Sequence, residues 1–182
     1  MKIGVISDTH NSIVNPLYIL FSDIDLLIHA GDLDHPNTVP ELESLSHNIK
    51  RVAGNCDVYE YPSQPRYLYF TCDNIRFFVV HNLTTPHNIQ QSNRELIATL
   101  KPHFIIFGHT HKPLIEERNG YIFINPGQGG QGTAPHNSAA IINIEKEQIV
   151  CEIYNTQNSH DEKIVQKIFS RDSFRPQGRR RS

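Results

Sequence analysis

The amino-acid sequence predicts an α/β fold, with a largely parallel sheet in its first half and hairpins in its second half. Three short apolar runs alternate with two segments of helical character over residues 2–53, and such alternation is typical of parallel strands joined by helices. Later apolar runs come in pairs separated by three or four turn-forming residues, which is typical of β-hairpins. The 182 residues suit one domain, which we place at 1–169.

The elements follow one another without an internal repeat. In the first half, strands are predicted at 2–7, 25–29 and 49–53, and helices at 15–21 and 37–45. In the second half, a buried strand is predicted at 104–107, and the hairpins join 66–70 to 75–80, 114–117 to 121–124, and 138–144 to 148–154. Helical spacing of apolar residues, with Pro102 as a stop, predicts a helix at 88–100, and a closing helix is predicted at 160–169.

Composition excludes several classes of protein. Hydrophobic residues make up 38% of the chain, charged residues 20%, and the net charge is −2, which argues against disorder and against a basic nucleic-acid-binding body. The three cysteines, Cys56, Cys72 and Cys151, are too few and too far apart for a disulfide framework or a zinc knuckle, so a cytoplasmic location is expected. No signal peptide and no transmembrane helix are predicted, and therefore no membrane partner.

The C-terminal segment 170–182 has a different character from the rest of the chain. It contains five arginines and one aspartate, which give it a net charge of +4. Such segments are usually solvated and loose. Contact with nucleic acid is the weaker alternative.

Polar side chains follow five of the predicted strands, at the point where each strand ends. Because the carboxyl ends of parallel strands meet at one edge of a sheet, we expect these side chains to converge. They are Asp8, His10, Asp32, Asn55, His81, His109 and His111.

The donor set predicts a site for two metal ions. Three carboxylate or amide oxygens and four imidazoles are more ligands than one ion needs, and a carboxylate can bridge two ions. Mixed oxygen and nitrogen donors without a thiolate suit Mn, Fe, Co, Ni or Zn rather than Ca. Residues two apart in an extended segment lie on one side, so Asp8 with His10, and His109 with His111, could each grip one ion. Gly31, Gly54 and Gly108 would let the backbone turn beside the ions.

These motifs resemble those of the calcineurin-like metallophosphoesterases, in their small single-domain branch of YfcE-type phosphodiesterases. The chain has Asp-Thr-His at 8–10, Gly-Asp at 31–32, Gly-Asn-Cys-Asp at 54–57, His81, and Gly-His-Thr-His at 108–111, in the family order. Asn-Pro-Gly at 125–127 also matches the small branch. The resemblance does not cover the arginine-rich tail.

The resemblance implies a fold, a metal partition and an activity. The fold is a four-layer α/β/β/α sandwich of two mixed sheets flanked by helices. Asp8, His10 and His111 would bind the first ion, and Asn55, His81 and His109 the second. Asp32 would bridge them, and Asp32, Asn55 and His81 are the predicted catalytic residues. The cofactors would be two divalent cations, with Mn preferred to Ni, Fe, Zn or Co. The reaction is hydrolysis of a small phosphate ester, most readily a diester, by metal-activated water. Small members of the family often form homodimers.

Two motifs depart from the pattern of larger relatives. Cys56 stands where they have a histidine that is proposed as the general acid, and a thiol is a poor substitute for an imidazole at neutral pH. Leu83 stands where relatives more often have a second histidine after His81, which leaves the shape of the substrate pocket open. Asp57 is expected to orient its loop.

The remaining histidines, Cys56, Asn125 and the glycine-rich segment each have a simpler structural interpretation. His29, His35, His47, His87, His103, His136 and His160 are expected to be surface or satisfied core residues, with His35 and His87 also open as pocket members. Cys56 is not a phosphatase nucleophile, because Pro62 occupies the position that would hold the arginine of a C-x5-R loop. Asn125 could support the metal loop or contact substrate, or form only a turn. The glycine-rich 127–132 segment is expected to be a flexible loop near the pocket.

Two other functions stay open at this point. One is a catalytically weak protein-binding scaffold of the same fold, which the seven retained donors disfavour. The other is a nucleotide or nucleic-acid phosphodiesterase helped by the basic tail.

Overall fold

The computed structural model describes residues 1–10, 12–34, 38–57, 64–130, 132, 136–157 and 160–174. Within these residues the strands, in chain order, are β1 (Lys2–Ile6), β2 (Leu26–His29), β3 (Ile49–Arg51), β4 (Tyr67–Cys72), β5 (Ile75–Val80), β6 (Thr84–Thr85), β7 (Asn88–Ile89), β8 (Phe104–Ile106), β9 (Leu114–Arg118), β10 (Tyr121–Asn125), β11 (Ser138–Ile144), β12 (Gln148–Asn155) and β13 (Glu162–Ser170). The α-helices are α1 (Pro16–Leu20), α2 (Thr38–Leu45) and α3 (Gln91–Leu100).

Two mixed sheets form the body of the molecule. The first has the strand order β13-β12-β11-β1-β2-β3, and the second β4-β5-β8-β10-β9. Strands β1, β2 and β3 are parallel, as are β5, β8 and β10, whereas the other neighbours pair antiparallel. The predicted combination of a parallel core with hairpins is therefore confirmed.

The apolar side chains form three layers of core. The largest cluster lies between the sheets, with Ile3 and Val5 of the first sheet and Phe77 and Val79 of the second among its members. Helices α1 and α2 cover the outer face of the first sheet, and α3 covers that of the second. Because β5 is buried on both faces, its sequence is a continuous apolar run. The four-layer sandwich is confirmed.

The predicted closing helix at 160–169 is wrong. The segment forms the edge strand β13, which pairs antiparallel with β12. Val165 and Phe169 pack on the core between the sheets, whereas Ile164 and Ile168 lie exposed. Apolar residues four apart satisfy the alternation of a strand as well as the spacing of a helix. The segment forms a strand because β12 has an open edge with which it can pair.

The start of the predicted loose tail is part of the fold. Ser170 ends β13, and Arg171–Phe174 form a 3-10 turn. The Arg171 guanidinium donates to the Glu145 carbonyl at 2.7 Å and to Asp73, and the Phe174 ring lies 5.7 Å from that of Phe104. The remainder of the tail, 175–182, lies outside the described residues.

Smaller differences concern the helices. The segment predicted as a helix at 88–100 begins with β7, which forms a two-stranded ribbon with β6, and the helix starts only at Gln91. It ends where Lys101 adopts a left-handed conformation before Pro102. The described helices are too short to cross a lipid bilayer.

Candidate metal centre

The seven predicted site residues come together from five loops at the carboxyl ends of β1, β2, β3, β5 and β8. Strands from both sheets contribute, so the loops meet over the seam between the sheets. Backbone hydrogen bonds tie these loops to one another, since the Asp8 N–H donates to the Gly31 carbonyl at 2.9 Å and the Gly108 N–H donates to the His81 carbonyl at 2.9 Å. The predicted convergence is thus observed, although the role of these residues as ligands stays a prediction.

One group consists of Asp8, His10 and His111. Nε2 of His10 lies 3.3 Å from Nε2 of His111, and Nε2 of His111 lies 3.2 Å from Oδ1 of Asp8. Each residue offers one ligand atom, and these atoms all lie within 4.8 Å of one another. Asp8 is fully buried, while the two imidazoles are partly exposed.

The second group consists of Asp32, His81 and His109, with Asn55 beside it. Nε2 of His81 lies 3.1 Å from Oδ2 of Asp32 and 3.1 Å from Oδ1 of Asn55. These are the predicted ligands of the second ion. Asp8 also approaches this group, because its Oδ1 lies 3.9 Å from Nε2 of His81. The bridging role of Asp32 stays a prediction.

The reason given for the paired motifs is wrong. Asp8, His10, His109 and His111 all have positive φ, between 41° and 66°, so neither pair lies in an extended segment. His109 and His111 belong to different groups, whereas Asp8 and His10 share one. Left-handed conformations of residues other than glycine carry strain and are concentrated at functional sites.

Glycine is required at the site mainly for close approach. A Cβ at Gly54 would lie 2.0 Å from Oδ1 of Asp32, and one at Gly108 would lie 1.9 Å from Oγ of Ser7 and 2.6 Å from Oδ2 of Asp8. At Gly31, φ is +94° and a Cβ would meet the His81 ring at 2.7 Å. Sharp turning was expected at all three, but only Gly31 adopts a positive φ.

Asp57 organises the loop after β2, as expected. Its buried carboxylate accepts hydrogen bonds from the backbone N–H groups of Asp32, Leu33 and Asp34 at 3.0, 2.8 and 2.9 Å, and from that of Gly54 at 2.8 Å. A carboxylate with four backbone donors fixes both the second and the third loop. The positions of Asp32 and Asn55 therefore depend on it.

Two supporting residues were missed in the sequence. Asp34 Oδ2 lies 2.8 Å from Nδ1 of His10, so it orients that imidazole, and the Ser7 hydroxyl donates to Oδ2 of Asp8 at 2.6 Å. Each is next to or two residues from a predicted ligand. Their role follows from contacts between different loops, which spacing alone does not reveal.

Asn125 supports the loop that carries His109 and His111. Its Nδ2 donates to the Gly108 carbonyl at 2.8 Å and to Oγ1 of Thr110 at 3.0 Å. Its Oδ1 accepts from the N–H of Gly127 at 2.9 Å, so the residue forms the Asn-Pro-Gly turn as well. The side chain is fully buried, and the alternative of substrate contact is therefore excluded.

The two ring nitrogens of His81 have different partners, the Ala30 carbonyl and the Asp32 carboxylate. Nδ1 donates to the Ala30 carbonyl at 2.8 Å, so Nε2 faces the Asp32 carboxylate with its lone pair unless it carries a proton. Burial alone would lower the pKa of His81, but the hydrogen bond and charge of Asp32, with Asp8, outweigh burial and raise it. In turn, burial opposes ionisation of Asp32, yet its interactions with His81 and the Cys56 N–H lower its pKa.

The residues fit divalent cations. Ligands of one tetrahedral ion at ~2.0 Å lie roughly 3.3 Å apart, and the donor atoms of both groups are separated by 3.1–3.3 Å where neighbours are closest. In addition, burial raises the pKa of Asp8 despite His81, Ser7 and His111. A cation would offset the cost of ionising Asp8 there.

The departures from the family pattern have structural consequences. Cys56 is exposed beside Asp32 and Asp34, and partial desolvation of its thiol together with these carboxylates raises its pKa to about 12. Such a thiol is a weak proton donor to a leaving alcohol. Leu83 is fully buried in the core under α3, so its position does not reach the site.

The other histidines are surface or satisfied core residues, where the structure describes them. His29 and His103 are buried with hydrogen-bond partners. Nε2 of His87 lies 3.2 Å from Oε1 of Glu116, and the residue lines a separate cleft, so it is not a member of the metal pocket. His35 lies outside the described residues, as does part of the glycine-rich segment.

A family model described as the calcineurin-like phosphoesterase superfamily domain matches residues 1–147. The chain belongs to this superfamily. A probable metallophosphoesterase of Methanothermobacter thermautotrophicus is 34% identical to this calcineurin-like phosphoesterase over 161 residues, which cover 86% of this chain and 93% of the relative. The phosphodiesterase YfcE of Escherichia coli is 25% identical over 186 residues, which cover 84% and 97% of the two chains.

Solved structures share the fold of this calcineurin-like phosphoesterase. Vacuolar protein sorting 29 from Cryptosporidium parvum matches with a TM-score of 0.78 and 19% identity, covering 93% of this chain and 97% of that one. The E. coli YfcE structure matches with a TM-score of 0.64 and 22% identity, covering 92% and 98%. These likenesses concern the architecture alone.

Proposed function

We propose that the protein is a phosphodiesterase that depends on two divalent cations, with Mn²⁺ as the preferred ion. The observation that carries the proposal is the pair of adjoining donor groups, each containing a carboxylate and two imidazoles within ligand distance of one another. The names of the relatives, metallophosphoesterase and phosphodiesterase, support the same activity.

The proposed ligands differ in exposure, with buried carboxylates and a more exposed amide and imidazole. Asp8 and Asp32 are 0% and 2% exposed, whereas Asn55 and His109 lie at the surface of the site. An anionic phosphate would therefore meet amide and imidazole groups rather than carboxylates. Bound cations would polarise the phosphoryl oxygens and lower the pKa of water. Asp34 and the Ala30 carbonyl hold His10 and His81 in the tautomer whose Nε2 lone pair would be available to a cation.

The weak acidity of Cys56 affects the choice of substrate. Cys56 stands where larger relatives have a histidine, and a thiol gives a departing alkoxide less help than an imidazolium would. We therefore expect esters of good leaving groups, such as phenols, to react faster than simple alkyl esters.

A cleft of about 470 Å³ adjoins the second donor group and would receive the organic part of a diester. Its lining includes Asn55 and His81 of the donor group together with Arg66, Tyr67 and Asn82. Arg66 is exposed and makes no ion pair with any residue that the structure describes. A diester, unlike a monoester, has a second organic group, which such a cleft would hold while the first one departs.

The test of the proposed function is the variant Asp32→Asn. With bis(p-nitrophenyl) phosphate and Mn²⁺, we expect kcat/KM to fall at least about 100-fold, because a preorganised charge at the centre is lost. Asp23→Asn, which changes a carboxylate that is 70% exposed, is the matched control and should retain the wild-type value. Chelation should abolish hydrolysis, and Mn²⁺ should restore it. A wild-type rate in Asp32→Asn or in the chelated protein would contradict the proposal.

The cleft is tested by Arg66→Ala. For a nucleoside aryl phosphodiester that carries a second phosphate, we expect KM to rise about tenfold, the effect of losing one hydrogen bond to a charged group. The KM of bis(p-nitrophenyl) phosphate should stay within about twofold. Arg94→Ala, in the separate cleft on α3, is the control. If Arg66→Ala raised the KM of both substrates equally, the second phosphate would not bind at Arg66.

The scaffold alternative rests on the fold shared with vacuolar protein sorting 29. That likeness carries no information about catalysis in this chain. Retention of all seven donors in two close groups favours the enzyme.

A further inference from the structure

A third group of potential ligands lies beside the first one and has a different chemistry. A ring nitrogen of His10, a carboxylate oxygen of Asp34 and Sγ of Cys56 all lie within 4.8 Å of one another, and Nδ1 is the His10 nitrogen that faces Asp34, at 2.8 Å from its Oδ2. The residue Cys56 is exposed, so a cation can reach the sulfur from solvent. The two groups assigned to the phosphoesterase centre contain no sulfur.

Asp34 provides a second observation. Its Oδ2 contacts His10 at 2.8 Å, but its Oδ1 is buried and has no hydrogen-bond partner within the described part of the chain. A buried carboxylate oxygen without a partner is costly and calls for an explanation such as a bound ion. The unpaired oxygen belongs to the same side chain that approaches His10 and Cys56.

We propose that His10, Asp34 and Cys56 bind a thiophilic divalent cation, of the class of Zn²⁺ or Cd²⁺. Thiolate, imidazole and carboxylate together are ligands of Zn²⁺ rather than of Mn²⁺ or Mg²⁺. On binding, the thiol proton of Cys56 is released to solvent. The ring proton of His10 moves from Nδ1 to Nε2, so the imidazole stays neutral and one proton leaves for each cation bound.

Occupation of this site excludes His10 from the first donor group. A neutral imidazole offers one nitrogen lone pair at a time, and Nε2 of His10 is the atom that faces His111 at 3.3 Å. A cation on Nδ1 leaves a proton on Nε2. The thiophilic site and the first site of the centre therefore compete for one ring, which would make such cations inhibitors; only this consequence rests on the proposed function.

The site is tested by titrating metal-free protein with Cd²⁺ and following the ultraviolet sulfur-to-cadmium charge-transfer absorption. We expect the band to saturate at one equivalent in the wild type, to be absent in Cys56→Ser, and to require at least about tenfold more Cd²⁺ in Asp34→Asn. Cys72→Ser, which changes a partly exposed cysteine in another region, should keep the wild-type titration. A band that persists in Cys56→Ser, or that Asp34→Asn leaves unchanged, would overturn the site.

Competition for His10 is tested on Mn²⁺-loaded protein by electron paramagnetic resonance. One equivalent of Cd²⁺ should release about one Mn²⁺ from the wild type and less from Cys56→Ser. Equal release from both proteins would overturn the competition. Neither the cadmium titration nor the Mn²⁺ release requires hydrolysis. Failure of the phosphodiesterase assay would therefore count against the proposed function but not against the thiophilic site.

Discussion

At the scale of single residues, the centre depends on buried polar groups that contact the loops carrying the predicted ligands. His29 is one of them. Its Nδ1 accepts from the Gly31 N–H at 3.2 Å and its Nε2 lies 3.0 Å from Oγ1 of Thr9, so the neutral ring links the first two loops. Burial is the main reason why its pKa is lowered to about 4.

The pKa of His29 predicts a loss of stability in acid. The folded pKa of about 4 lies below the ordinary value of 6.5, so the unfolded chain binds more protons between these values. The stabilisation is present above the unfolded pKa and is lost as the pH falls toward the folded one. Between pH 7 and pH 5, His29 should reduce the free energy of unfolding by about 2 kcal/mol.

Urea denaturation of metal-free protein at both pH values measures this effect. His29→Gln should lose less stability between pH 7 and pH 5 than the wild type, by about 2 kcal/mol. His47→Gln, at an exposed position, should retain the wild-type dependence. Parallel curves for the wild type and His29→Gln would refute the assignment.

At the scale of elements, the segment after β10 is a support for the first loop rather than a flexible flap, as far as the structure describes it. The Gly129 N–H donates to the Ser7 carbonyl at 2.8 Å, and that of Gly130 donates to the Asp8 carbonyl at 3.3 Å. A Cβ at Gly130 would lie 1.7 Å from the Thr9 carbonyl oxygen and 2.7 Å from that of Ser12. Backbone atoms cannot rotate away, so the loop itself would have to move.

Gly130→Ala should therefore displace Asp8 and His10. We expect a loss of about 2 kcal/mol in the free energy of unfolding and weaker Mn²⁺ binding in calorimetry of the metal-free protein. Gly120→Ala is the control, because its φ is +79° but no atom lies within 4 Å of the added Cβ. It should cost about 1 kcal/mol from backbone strain and leave Mn²⁺ binding unchanged. Unaltered binding in Gly130→Ala would show that the segment does not support the loop.

At the scale of the whole molecule, the domain extends beyond the predicted boundary at 169. Arg171 joins the turns after β4 and β11 through Asp73 and Glu145, and Phe174 covers His103 and Phe104. Two truncations distinguish the contribution of this packing to stability from that of the basic tail. Deletion of 171–182 should lower the free energy of unfolding by about 3 kcal/mol, whereas deletion of 175–182 should leave it unchanged in denaturant titrations.

The shorter truncation also addresses the nucleic-acid alternative. If the tail is irrelevant to catalysis, deletion of 175–182 leaves both the rate on an aryl diester and its dependence on salt unchanged. Loss of nucleic-acid hydrolysis with a reduced salt slope would instead support the nuclease, because released counterions report contacts to phosphates.

The sequence by itself determined the architecture and which polar residues converge at the ends of the strands. Short apolar runs and the polar residues at their ends follow from local chemistry, so Asp8, Asp32 and His81 could be found without coordinates. Family motifs added the division of His109 and His111 between two groups. These features are encoded within short stretches of chain.

Tertiary structure decided whatever depends on distant partners. The 160–169 segment is a strand because β12 offers an open edge, although its apolar spacing also suits a helix. Asp34 acquires a role because its loop folds against His10, twenty-four positions earlier in the chain. The left-handed backbone at Asp8 and His109 is held by hydrogen bonds between loops. Contacts between distant segments depend on the geometry of the packed sheets. Local sequence patterns do not specify that geometry.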